Sequence, residues 1–162
     1  LQVLKHAGYR AFSSLGETAG GYSYIYSLNV LEHIEEDQMI IDDLYRVLNP
    51  GGRLFIYVPA LEVLFSAMDK KVGHYRRYHI DDLEHLLENA GFVVEKSAYT
   101  DILGVLATLA YKLIPWISDG RLTCSQVSFY DRFLFPISRL LSMPFGRILG
   151  KNVYAVAVKP IK

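Results

Sequence analysis

The segment RLFIYVPA, residues 53–60, is apolar at nearly every position rather than at every second one. A strand with one face in water alternates apolar and polar residues, so an unbroken run predicts a strand covered on both faces. Its flanks carry the same argument outward. Residues 35–48 place Ile40, Leu44, Val47 and Leu48 at helical spacing, and Asn49-Pro50-Gly51-Gly52 reads as the stop of that helix. YSYIYSLN (22–29) is rich in aromatic and branched residues and predicts a strand. Downstream, residues 80–91 predict a helix with Leu83, Leu86 and Leu87 on one face, and FVVEKSAYT (92–100) a strand. YRAFSSL (9–15) reads as a further strand, 102–114 and 126–142 as helices, and NVYAVAVKP (152–160) as the last strand. Strand and helix in alternation imply an α/β fold, a mostly parallel sheet with helices on both faces.

The remaining constraints are negative. A chain of 162 residues is the size of one domain, and 51% of it is hydrophobic, enough for a sizeable core. Seventeen basic residues balance seventeen acidic ones, which argues against a dedicated nucleic-acid binder. The single cysteine, Cys124, forms no internal disulfide and fits a reducing, cytoplasmic compartment. ILGVLATLAYKLIPWI (102–117) is interrupted by Lys112 and Pro115 and falls short of the roughly 20 residues that span a bilayer. LQVLKHAG (1–8) reads as the last turns of a helix closed by Gly8, which predicts a chain that begins inside a larger protein.

In open parallel sheets, ligands lie beyond the carboxyl ends of the strands. YIYSLNVLEHIEED (24–37) turns from strand to helix at that rim and sets Asn29, Glu32 and His33 among Val30, Leu31 and Ile34. Adjacent carboxylate and imidazole suit deprotonation of an acceptor hydroxyl, since histidine titrates near neutrality. The bland alternative is that Glu32 and His33 brace the following helix. Residues 61–79 read as a lid. Within it DKKVGHYRRYH (69–79) concentrates Lys70, Lys71, His74, Arg76 and Arg77 with Tyr75 and Tyr78. Paired guanidiniums grip a carboxylate or phosphate by two parallel hydrogen bonds. The competing readings are arginines paired with Asp69, Asp81 and Asp82, or a short single-stranded nucleic-acid contact.

YSYIYSLNVLEHIEED, YRVLNPGGRLFIYVPA and GHYRRYHIDDLEHLLENAGF together resemble the class I S-adenosylmethionine-dependent methyltransferases. Within them the match is to a type 11/12-like bacterial subgroup with a GHxRRY segment, often associated with cell-surface glycan genes. The resemblance implies a Rossmann-like class I methyltransferase sheet, N-terminally truncated, with a helical C-terminal cover over 101–149. It makes residues 1–162 one partial methyltransferase domain, with 61–79 and 101–149 closing the acceptor site. It assigns the methionine part of S-adenosylmethionine to Ser27, Leu28 and Asn29, and the adenine flank to Leu15 and Gly16 at the end of a third strand. His33 and Glu32 become the catalytic pair, and Pro59, His74, Arg76, Arg77 and Tyr78 the acceptor contacts. The final strand is implied to insert antiparallel between the fifth and sixth.

Two departures limit this. No G-x-G-x-x-G pattern occurs in residues 1–162, nor the acidic residue that would hold the ribose hydroxyls. This chain alone is therefore expected to bind the cofactor weakly. Some related O-methyltransferases bind a divalent ion through E-x-x-E-H, but Asn29 stands at the first position here, and no metal is expected. The functional expectation is methyl transfer to an oxygen, or less readily a nitrogen, of a small-molecule or glycan or lipid-linked acceptor. Its rival is a noncatalytic remnant serving as a binding scaffold, with a nucleic-acid methyltransferase a distant third. FYDRFLFPISRLLSMPFGRILG carries Arg132, Arg139 and Arg147 and adds peripheral membrane contact and a homodimer to the partner expectations. Replacing Arg76 and Arg77 by Ala is expected to abolish turnover if they hold the acceptor, and to impair folding if they are structural.

Overall fold

In a computed structural model of the chain, residues 14–113, 132, 136–138, 140 and 146–161 are described. The expected helix end at 1–8, residues 9–13 of the expected first strand, Cys124 and most of 126–142 lie outside them. Four strands form one sheet: β1 (Tyr22–Leu28), β2 (Leu48–Pro59), β3 (Val93–Thr100) and β4 (Asn152–Val158), in the order β1-β2-β4-β3. β1 and β2 are parallel, and β4 runs antiparallel to both β2 and β3. The first three strands therefore share one direction and the last is inserted between two of them, as the resemblance implies.

The helices are α1 (Asp37–Val47), α2 (Ala67–Val72), α3 (Ile80–Asn89) and α4 (Ile102–Leu113). α1 buries Ile41 and Leu44, and α3 buries Leu83 and Leu87. They close over Leu54, Ile56 and Val58 of β2 and Val153, Ala155 and Ala157 of β4, all without measurable exposure. The register pairs these residues directly across the sheet, so they share its inner face. The other face differs from the expectation of full cover. There Tyr26, Phe55 and Tyr154 form a row of rings, and Tyr24 and Tyr26 are 59% and 69% exposed. Period-2 alternation in the pleat separates the two faces, and aromatic residues satisfied the sequence pattern on both.

Two local expectations need correction. The helix does stop ahead of Asn49-Pro50-Gly51-Gly52, at Val47, but the strand expected from Arg53 begins at Leu48 and runs through that segment. The pairing jumps from Tyr22↔Leu48 to Tyr24↔Arg53, a bulge that absorbs the extra residues. Gly51 takes φ 76° there, and its amide donates to the Lys159 carbonyl at 2.8 Å. A neighbouring strand with unmet hydrogen bonds has overridden the turn chemistry. Likewise Ser14 and Leu15 are not the end of a strand. Ser14 precedes a 3-10 turn, Leu15–Glu17, where Thr18 Oγ1 donates back to the Leu15 carbonyl at 2.9 Å.

Candidate active site

Among the described residues, three non-glycine residues adopt left-handed backbone, and all three follow the carboxyl ends of same-direction strands. Asn29 (φ 51°) follows β1, Leu61 (φ 63°) comes just after β2, and Asp101 (φ 62°) follows β3. The left-handed region brings Cβ against the backbone, so it persists only where surroundings over-determine it. Hydrogen bonds supply that constraint: Asn29 N–H to Tyr57 O at 2.8 Å, Leu61 N–H to Tyr78 O at 3.1 Å, and Lys151 N–H to Asp101 O at 3.2 Å. The rim where a ligand is expected is thus the strained edge of the sheet.

Directly after Asn29 the chain makes a 3-10 turn, Leu31–His33. Leu31 drops into the core, His33 faces solvent, and Glu32 is carried inward with them to 0% exposure. Neither Glu32 oxygen has a hydrogen-bond partner among the described residues. The His74 imidazole lies beside it, with Nε2 3.9 Å from Oε1. Glu32 does not brace the next helix, since no side chain caps α1. Burial pushes its carboxyl above the ordinary carboxylate range, against the opposing pull of its backbone amide and of His74, His33 and Arg77.

His74 reaches this position because Ser66 starts α2 with a capping box and Gly73 ends it. Ser66 Oγ accepts from Met68 N–H at 3.2 Å, while Asp69 Oδ2 accepts from Ser66 N–H at 2.9 Å. Gly73 closes the helix at φ 84°, a conformation glycine adopts without penalty. The chain then doubles back, and His74 Nδ1 lies 2.9 Å from Asp69 Oδ1. His33 and His74 meet edge to face with ring centres 4.6 Å apart, and His33 Nδ1 lies 3.3 Å from the Gly73 carbonyl.

The rest of GHYRRY fastens this loop to both strand ends. Tyr75 N–H donates to Glu32 O at 2.8 Å and Tyr78 N–H to Pro59 O at 3.0 Å. Arg77 Nε donates to Asp69 Oδ1 at 2.9 Å and its Nη2 to Oδ2 at 3.2 Å, with Nη1 on the Ala60 carbonyl. Arg76 donates to Asp37 Oδ2 at 2.7 Å and to the Glu35 carbonyl at 2.6 Å. Tyr78 O–H reaches the same Asp37 oxygen at 3.0 Å. Burial works against ionisation of Asp69, yet the His74 and Ser66 hydrogen bonds and the Arg77 charge outweigh it and hold its carboxyl below the usual range. Burial, then the Asp37 carboxylate, raises the Tyr78 phenol far above ordinary tyrosine.

The structure therefore gathers His33, Glu32 and His74 into one cluster at the rim, beside Asn29 and Pro59. It sets Arg77 behind them, 7% exposed, and ties Arg76 and Tyr78 to Asp37. Of the carboxylates expected to pair with the arginines, Asp69 does so; Asp37 takes the place foreseen for Asp81 and Asp82. Ser27 and Leu28 end β1, whereas Leu15 and Gly16 stand on the 3-10 turn that packs near α1. Asp37 is not singled out in the sequence, whereas Asp69 is, as one partner of the arginines. The Ser66-x-x-Asp69 spacing is a signal that points to the second.

Two measurements check this wiring. Tyr78→Phe should cost about 1.5–3 kcal/mol, the range for a hydrogen bond to a charged group, read from denaturant melts. Glu32→Gln should stabilise the protein at neutral pH by about 1 kcal/mol. The sign follows from linkage: a folded carboxyl with a raised pKa stabilises least above that pKa, so removing the charge helps there and not below the unfolded value of 4.5. A flat difference between the two proteins across pH 4 to 8 would contradict it.

The comparisons with known proteins fit this geometry. The family model for the Methyltransferase domain matches residues 4–97. A probable S-adenosylmethionine-dependent methyltransferase of Mycolicibacterium smegmatis is 31% identical over 83 residues, 50% of this chain but only 30% of that protein. Among solved structures, the [4+2]-cyclase SpnF superposes with a TM-score of 0.56 at 16% identity, over 99% of this chain and 61% of its own. Phosphoethanolamine N-methyltransferase 2 of Haemonchus contortus, in complex with S-adenosyl-L-methionine, gives 0.50 at 17% identity, over 86% of this chain and 33% of its own. At such identities the superpositions establish a fold, and a cyclase among them shows that the fold alone does not choose a reaction. The family match covers more than half of the chain, from before β1 into β3, and on that ground the chain belongs to the Methyltransferase domain family.

Proposed function

We propose that this chain carries the acceptor side of an S-adenosylmethionine-dependent methyltransferase site, with the Glu32–His33–His74 cluster at its centre. The observation that carries the reading is a fully buried carboxylate with both oxygens unpartnered among the described residues, beside two imidazoles, at the carboxyl edge of the sheet. The donor is S-adenosylmethionine, the cofactor named for the curated relative. Its methionine part runs along Ser27, Leu28 and Asn29, with Leu15 and Gly16 toward the adenine.

Methyl transfer is a direct displacement, so most of the rate comes from alignment of sulfonium and nucleophile. A bond forms from the acceptor oxygen to the methyl carbon as the sulfur–methyl bond breaks, leaving S-adenosylhomocysteine. The acceptor proton passes to the His33 ring. Glu32 favours the resulting imidazolium by its charge. In this reading Pro59 and His74 border the acceptor, while Arg76, Arg77 and Tyr78 act by holding the wall that it meets. A nitrogen acceptor is the less favoured variant, since a neutral amine needs less help from a base.

The alternative of a noncatalytic scaffold draws on the exposed Tyr24, Tyr26 and Leu28 of β1. One experiment separates the two. The complete gene product is titrated with S-adenosylmethionine by calorimetry, then assayed with methyl-labelled donor against sugar, lipid-linked and quinol acceptors. Cofactor binding with label transferred to an acceptor oxygen is the expected result. Absence of both binding and transfer would leave the scaffold.

A further inference from the structure

We infer that Glu32, His33 and His74 form a binding site for one first-row divalent transition-metal ion. One ligand atom from each lies within 4.8 Å of the others, although His74 comes from a separate element 41 residues further along the chain. The second observation is independent: Glu32 is wholly buried and both its oxygens lack a hydrogen-bond partner among the described residues. Buried charges are held by a counter-charge or a metal, and the nearest imidazole nitrogen is 3.9 Å away, too far for a hydrogen bond.

The outer contacts fit the same reading. Asp69 Oδ1 faces His74 Nδ1 at 2.9 Å, and the Gly73 carbonyl faces His33 Nδ1 at 3.3 Å. Neither acceptor can donate, so the proton of each neutral ring belongs on Nδ1 and Nε2 keeps its lone pair. A metal-bound histidine characteristically gives its other N–H to a carboxylate or carbonyl, which fixes tautomer and ring angle. Asp69 is itself gripped by Arg77 and Ser66, which makes it a rigid support.

Two imidazoles and one carboxylate suit Zn²⁺, Fe²⁺ or Mn²⁺, whereas Ca²⁺ and Mg²⁺ prefer oxygen throughout. Tetrahedral zinc sets such donors roughly 3.4 Å apart; His74 Nε2 and Glu32 Oε1 stand at 3.9 Å and all three ligand atoms within 4.8 Å, so the side chains must draw inward to bind it. His33 is exposed and His74 is 14% exposed, which leaves an entry path and open coordination positions. Asn29 occupies the place where E-x-x-E-H would supply an acidic ligand, and His74 provides a third donor from across the rim instead. The inference rests on the functional reading only for what the ion does. Bound there, the ion would polarise the acceptor hydroxyl, whose proton would leave to solvent, and His33 would serve as base only in the metal-free protein.

The test uses the chelator-stripped complete gene product titrated with ZnCl₂, MnCl₂ and CoCl₂ by calorimetry. Metal content after desalting and the visible d–d bands of the Co²⁺ form are recorded alongside. We expect one ion per chain, a rise in melting temperature on loading, and at least 100-fold weaker binding in Glu32→Gln, His33→Ala and His74→Gln. His85→Ala, on an exposed face of α3, should bind as the parent does. His33 is exposed, so its replacement is tested without loss of the fold, which circular dichroism verifies. Binding that is substoichiometric, or as tight in His33→Ala as in the parent, means an adventitious ion only and overturns the site. An infrared band of a neutral carboxylic acid that persists in saturating metal and is lost in Glu32→Gln overturns it in favour of a proton on Glu32. A metal-loaded protein without methyl transfer would instead reject the functional reading and leave the site standing.

Discussion

Asp69→Ala should destabilise the protein by about 3–5 kcal/mol, the usual loss when one partner of a buried ion pair is removed. At about 2–4 °C per kcal/mol for a domain of this size, its melting temperature should fall by roughly 6–20 °C. Asp69 is 2% exposed and gathers Arg77, His74 and Ser66, so its loss leaves a buried guanidinium without a counter-charge. Arg77→Ala should cost a similar amount, and the double variant much less than the sum, because either change alone empties the same pair. The pH dependence has a definite sign. The folded Asp69 carboxyl lies below its ordinary 3.8, so its contribution is complete above that value and disappears as pH falls through the lower folded one. Asp69→Asn should therefore flatten the acid limb of the stability curve. A variant as stable as the parent at pH 7 would show that the GHYRRY loop is not held as described.

In the metal-free protein His33→Ala should reduce methyl transfer about 10²–10⁴-fold, the usual contribution of a positioned proton acceptor, while S-adenosylmethionine binds as before. His33 is the exposed member of its cluster, and among the described residues its ring meets the Gly73 carbonyl and His74. Its loss should leave the melting temperature nearly unchanged, which separates it from Asp69. Kinetics with saturating donor and acceptor read the effect as kcat rather than KM. Unchanged turnover would remove His33 from the chemistry.

Arg76 and Arg77 show how the partners of adjacent guanidiniums are supplied by the fold. Two adjacent guanidiniums beside tyrosines signal anion recognition from sequence, because residue type is all that is visible. In the folded chain both face carboxylates of the same molecule, Asp37 and Asp69, one 39 and the other 8 residues away. Long-range charge pairing has no sequence period, whereas the capping box that places Asp69 does.

The sequence by itself determined the strands β1 to β4, the helices α1 and α3, and the rim at which Asn29, Glu32 and His33 emerge. Those features depend on local periodicity and on chain direction, and both are written along the chain. Only the tertiary structure decided that Glu32 is buried and unpartnered among the described residues, that His74 stands beside it, and that the guanidiniums face internal carboxylates. Burial and charge pairing belong to residues far apart in sequence, and their energies exist only once folding has removed the water between them.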